Sequence, residues 1–280
     1  MRGEDTAEAP LTTPKHLSWL VDSGTIVPTA CGKAIPVWEL QHVDDAAILS
    51  DWASHFRRHY CSDEDLEALT QGTGKTKAEF LREMKLPSLE KPGPSVRSGD
   101  FGEILIADYL RYVLGHWSPA HIRYDGRFNP NDPTKGADII GFSHDPDVGH
   151  LPADELYLFE AKSGMTLSKK NRLQDAVDDS GKDKLREAVS LNAFKQRLRK
   201  DGDETGQKIV QRFQDETARP FARRNGAAAI MDDDVFAATD LTKVDASLHP
   251  NAANLSLMVI KGPSLMALVH ALYERAADEA

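Results

Sequence analysis

The chain has 280 residues, with 34 Lys and Arg against 44 Asp and Glu, for a formal net charge of −10. That balance excludes a histone-like polycation, and 40% hydrophobic residues are too many for general disorder and enough for a real core. Two cysteines, Cys31 and Cys61, are too few for a disulfide framework, and no run approaches the roughly 18 apolar residues of a spanning helix. With no cationic segment leading into an apolar one at Met1–Asp5, the expectation is a cytoplasmic protein with neither export nor membrane contact.

The first 40 residues are interrupted by Pro10, Pro14, Pro28 and Pro36 and read as a loose lead-in with one or two short strands. From Asp44 to Lys85 the pattern is helical, with Ala47, Ile48, Trp52, Phe56 and Tyr60 at steps of three and four. Ser62, with Asp65 three residues on, predicts a capped start to a second helix. Pro87, Pro92, Gly93 and Pro94 then break the chain, which divides it into a mainly helical region, 1–92, and a second domain, 93–280. A strongly apolar helix follows through Ile104–Leu110. Strands are expected at Ala137–Phe142, Glu155–Lys162, Ala227–Met231 and Leu255–Ile260, with a long helical region over Leu167–Arg224 and a terminal helix opened by Gly262-Pro263. Helices alternating with strands in this way predict an α/β fold.

The segment Glu155–Lys162 carries the clearest chemistry. In an extended chain Leu156, Leu158, Glu160 and Lys162 share one face and Tyr157, Phe159 and Ala161 the other, so a strand covered on both sides ends in two charges. Alone, the pair reads most simply as a weak ion pair at the surface. It has company. Asp138 opens another apolar strand, although by itself it is equally a turn residue, and Glu103 falls on a helical wheel near Ile106, Leu110 and Leu114, away from a polar side formed by Asp100, Asp108 and Arg111. Glu103 alone could simply answer the helix dipole. Three carboxylates in apolar settings beside one lysine suggest a divalent-cation site of hard oxygen ligands.

Gly102-Glu103 in a helix, then Asp138, then Glu160-Ala161-Lys162, resembles the PD-(D/E)xK nuclease superfamily, with Ala137 where the proline of the motif stands. More narrowly, Trp52–Cys61 and Gly93–Glu103 resemble the HamA family, nuclease subunits of the bacterial Hachiman anti-phage system. The resemblance implies a restriction-endonuclease-like mixed sheet flanked by helices and magnesium-dependent hydrolysis of DNA, with Mn2+ able to substitute. It implies Asp138, Glu160 and the Ala161 carbonyl as metal ligands, Glu103 completing the site, and Lys162 orienting or deprotonating the attacking water. It also implies a hetero-complex with the helicase HamB, which the helical region 1–92 is expected to contact. A noncatalytic nuclease-fold subunit and an RNA-cleaving nuclease are the alternatives.

Two further signals compete. Gly72-Thr73-Gly74-Lys75-Thr76 imitates the end of a phosphate-binding loop, but Leu69 stands where the first glycine belongs, so an interhelical turn is expected. His55 and His59 stand at helical spacing with Cys61 nearby and could hold zinc, although no fourth ligand is evident, and packing is the simpler reading. Between 160 and 224 there are 16 Lys and Arg against 11 Asp and Glu, a balance of +5 that leaves −15 elsewhere. This zone, including Lys169, Lys182, Lys195, Arg197, Arg223 and Arg224, is either a phosphate-facing surface or a solvated helical face.

Overall fold

The β-forming runs become strands of one mixed sheet in the computed structural model, which describes residues 12–119, 123–133, 139–144, 149–167, 170–182 and 184–280. Among the described residues the strands are β1 (Leu20–Pro28), β2 (Ala34–Leu40), β3 (Ile139–Ser143), β4 (Glu155–Gly164), β5 (Ala222–Asp232) and β6 (Leu255–Gly262). Their spatial order is β1-β2-β6-β5-β4-β3. The inner pairs β2/β6, β6/β5 and β5/β4 are parallel, and the outer pairs β1/β2 and β4/β3 are antiparallel.

The helices are α1 (Ala46–Arg58), α2 (Asp63–Thr70), α3 (Lys77–Phe80), α4 (Gly93–Asp108), α5 (Arg172–Ser180), α6 (Lys184–Lys200), α7 (Glu204–Arg212), α8 (Ala238–Leu241) and α9 (Leu265–Asp278). Local chemistry sets several of their ends. Asp45 accepts from the Ala47 and Ile48 amides at the start of α1, and Ser62 accepts from the Asp65 amide at the start of α2, as its spacing predicts. The Gly72–Thr76 segment is an interhelical turn: Gly72 and Gly74 have φ of 76° and 71°, Thr76 caps α3 through a box with Glu79, and Lys75 pairs with Glu83 at 2.6 Å. Its lysine and threonine are thus occupied locally.

Helices cover both faces of the sheet. On one, Trp52 and Phe56 of α1, Phe101 and Leu105 of α4 and Leu272 of α9 pack on Tyr157, Phe159, Ala161 and Ile230. On the other, Leu173, Ala176 and Val177 of α5 meet Ala227, Ala229 and Val259, while Leu191, Phe194 and Leu198 of α6 join Phe142 and Leu156. The central run Ala227–Ile230 is wholly buried, which is why it reads as continuous rather than alternating. Gly226 before it is a space requirement, since a Cβ there would lie 2.3 Å from the Phe159 ring. Gly226→Ala is expected to destabilise the fold by about 1–3 kcal/mol, read as a lower urea midpoint; an unchanged midpoint would mean that the strand can shift.

Three expectations need correction. The first 40 residues hold a hairpin of nine- and seven-residue strands that joins the main sheet. Pro36 is tolerated because pairing of β2 with β6 begins only at Val37. The helical region after Leu167 ends at Arg212, and Arg223 and Arg224 belong to β5 instead. Finally, Asp100 and Asp108 do not form a solvated side of α4: both are buried among partners from distant segments. The wheel also loses its phase at the end of α4, where a π-helical turn, Tyr109–Val113, takes over.

Candidate functional site

Pairing with β5 and β3 holds β4 rigid, and its alternation sends Leu156 into the cluster beneath α6 and Glu160 and Lys162 toward α5. Glu160 is buried and Lys162 is half-buried, and the lysine Nζ donates to Glu160 Oε1 at 2.6 Å. Lys162 also pairs with Asp179 Oδ2 at 2.8 Å, and Asp179 in turn holds Lys182. Burial alone would raise the Asp179 carboxyl, but hydrogen bonds from Lys162 and Lys182 outweigh it and hold the group below the usual carboxylate range. The chain of alternating charges opens into a cleft of about 360 Å³ lined by Glu160, Asp179, Lys182, Arg186, Arg223, Asn225 and Asn251.

Asp179 is the member that sequence reasoning missed. It lies three residues after Ala176, which is on the inward stripe of α5, so helical phase already pointed it at the sheet. Ser180 and His249 also meet in this cleft at 3.2 Å. His249 Nδ1 accepts from the Asn251 amide, so Nε2 carries the proton and donates to Ser180, whose hydroxyl donates to the Val177 carbonyl. In this tautomer His249 has no lone pair toward Ser180, which excludes a base-activated serine in this arrangement.

The other expected site residues are distributed as follows. Asp138 and the adjoining Ala137 lie outside the described residues, as does Lys169. Ala161 is buried and faces the α4 side of β4. Glu103 stands on α4, which packs on the face of β4 opposite to Glu160: Ser163 Oγ donates to the Ser98 carbonyl at 2.6 Å, and a Cβ at Gly102 would meet that Oγ at 2.6 Å. Glu103 itself accepts from Arg123 Nε at 2.7 Å and from the Tyr124 hydroxyl at 2.8 Å. One turn earlier Asp100 takes a bidentate Arg127 at 2.8 and 2.9 Å and the Tyr60 hydroxyl at 2.8 Å. The structure therefore unites Glu160 with Lys162 and gives Glu103 a neighbourhood of its own.

Burial pushes the Asp100 carboxyl up to about 6, against the lowering effect of Arg127 and with a further rise from Glu103. An acid raised above its unfolded value of 3.8 binds more protons when folded, so its contribution to stability is largest below that value and is lost as pH rises toward 6. The stability of the parent relative to Asp100→Asn is expected to fall by on the order of 2–3 kcal/mol from about pH 4 to about pH 7. Urea titrations at both pH values give the difference, and a flat one would remove this assignment.

Much of the basic zone is already engaged. Arg223 is held by Glu187 at 2.8 Å and Glu216 at 3.0 Å, Arg224 by Glu155 at 2.6 Å, and Arg197 by Asp125. These cations are parts of ion-paired surfaces before any phosphate arrives.

A mixed sheet covered by helices on both faces, with an acid and a lysine two residues apart at the end of an inner strand, defines an α/β protein with a charged strand-end cleft. The chain belongs to the HamA family, whose model matches residues 15–276, and is thereby a component of the Hachiman anti-phage defence system. No curated protein and no solved structure matches it. Among the described residues no helix is long and apolar enough to cross a membrane.

Proposed function

We propose that this HamA-family chain is a magnesium-dependent deoxyribonuclease of little sequence specificity that works with a helicase, HamB, in anti-phage defence. The observation that supports it most is the Glu160–Lys162 pair, held at 2.6 Å on one face of β4 where the cleft begins. Asp138 immediately precedes Ile139, and the register partner of Ile139, Phe159, immediately precedes Glu160. Its place in the chain, directly before the strand that pairs with β4, supports Asp138 as the proposed second carboxylate.

The donor set suits magnesium: Glu160 offers a buried carboxylate and Ala161 a backbone carbonyl, and Asp138 is proposed as a further hard oxygen, whereas Glu103, on the opposite face of β4, is left out of this set. A bound magnesium ion would supply Lewis acidity and a more acidic water. Lys162, already on Glu160, holds a proton within reach of the same carboxylate and places positive charge where a phosphorane-like transition state becomes more negative. The region 1–92, with α1, α2 and α3, is the proposed contact for the helicase.

A second reading, a noncatalytic nucleic-acid-binding subunit, draws on one observation: Lys162 is shared between Glu160 and Asp179, so a second carboxylate competes with any substrate for it. The test is incubation of the purified chain with DNA and, separately, RNA, with Mg2+ or EDTA, alone and with the helicase. Cleavage of DNA that needs Mg2+ is expected. Cleavage of RNA alone would move the substrate, and binding without cleavage in every arm would establish the second reading instead.

A further inference from the structure

We propose that His55, His59 and Asp108 form a separate metal site, suited to a zinc-class dication, that clamps the end of α1 to the end of α4. His55 lies in the last turn of α1, and His59, the residue that caps it, keeps helical backbone angles of φ −69° and ψ −24°. The two imidazoles are therefore one turn apart on one face. Asp108, the last residue of α4, completes the group, and one ligating atom from each of the three lies within 4.8 Å of the others. His55 Nε2 is 2.9 and 3.1 Å from the two Asp108 oxygens, close to the roughly 3.3 Å edge of a tetrahedron with zinc-to-ligand bonds of about 2.0–2.1 Å.

The carboxylate is held in place from behind. His16, wholly buried and stacked on Trp52 with ring centroids 4.4 Å apart and planes within 3°, sets its Nε2 3.0 Å from Asp108 Oδ2. Carboxylates that ligate metals are themselves held by hydrogen bonds from behind, the part that His16 plays here. Asp108 is itself 4% exposed, and its described partners are imidazoles, with neither lysine nor arginine among them. A buried carboxylate needs compensating positive charge, and a dication shared with His55 and His59 supplies it.

A similar trio, His144, His150 and Asp154, carries no such case, because Arg212 already sits 2.7 Å from the Asp154 carboxylate. Cys61, the ligand that sequence proximity suggests, is buried and is not part of the His55–His59–Asp108 group. Two nitrogen donors against one oxygen favour zinc over magnesium, which prefers oxygen throughout. His55 keeps 24% of its side chain exposed, so the group lies near the surface, and a water is the proposed fourth ligand. None of the three residues lines the Glu160 cleft.

The full chain, stripped with a chelator and reloaded with zinc chloride or cobalt chloride, provides the test. About one zinc per chain is expected in the parent and in Glu160→Gln, with the visible bands of a tetrahedral cobalt centre and a thermal midpoint raised by a few degrees by zinc. His55→Gln and His59→Gln, which keep polar side chains of similar reach, are expected to fold and to lose the metal, the cobalt bands and the zinc-dependent shift. Retention of zinc in His59→Gln, loss of zinc in Glu160→Gln, or no bound zinc in the parent would each overturn the proposal.

Discussion

Glu160→Gln and Lys162→Met are each expected to lower magnesium-dependent DNA cleavage by about 10²–10⁴-fold while leaving the fold intact. The substitutions act on different parts of one contact. Glutamine keeps the shape of Glu160 but removes the charge that both a cation and Lys162 require, whereas methionine keeps the stem of Lys162 and removes its proton and charge. Thermal unfolding checks that neither variant is merely misfolded. Lys162→Met leaves Glu160 and Asp179 without their common counter-ion, so a modest loss of stability is expected there even as activity collapses. Either variant cleaving at the parental rate would remove this pair from the chemistry, whatever the activity of the family.

The largest expected change in stability lies elsewhere, at Arg212. Its side chain is 1% exposed, yet Nε donates to Asp154 at 2.7 Å, Nη1 to the Arg219 carbonyl at 2.8 Å, and Nη2 to the carbonyls of Leu151 and Pro220 at 2.8 and 2.9 Å. Asp154 also accepts from the Leu151 amide, and its own carbonyl accepts from the Ala222 amide at 2.8 Å, so one guanidinium ties the entry to β4 to the entry to β5. Burial alone would raise the Asp154 carboxyl, but the Leu151 amide and Arg212 hold it below the usual range. Arg212→Ala is expected to cost about 3–5 kcal/mol, because a buried carboxylate and three carbonyls lose their donor together. Lysine should not rescue it, since a single ammonium cannot reproduce the planar fork. A loss below about 1 kcal/mol by urea unfolding would show that water replaces the guanidinium without strain.

The division between what the sequence reveals and what it hides follows from the range of the interactions. Glu160 and Lys162 were legible because a strand's two-residue period is local, and Trp52, Phe56 and Tyr60 were legible because helical period is local too. The partners of Asp100 and Asp108 were not, because Arg127 arrives from a connecting segment and His16 and His55 from before α4. A wheel drawn on α4 alone sees acids and assigns them to water. The hairpin of β1 and β2 was obscured by its prolines, which local rules count against a strand and which this sheet accommodates at its margin. Gly102-Glu103 was found as a motif, but which face of β4 its helix covers depends on the Gly102–Ser163 contact, a fact of packing.

The place of β2 has a consequence for how the protein comes into being. Val37 pairs with Val259, so β2 must wait for a strand made long after it before its inner edge is satisfied. During translation the growing polypeptide carries an unfinished sheet, and release before β6 emerges would leave that edge bare and open to aggregation. Completion of the sheet is in this sense a late event, and termination before β6 yields a molecule missing the middle of its sheet.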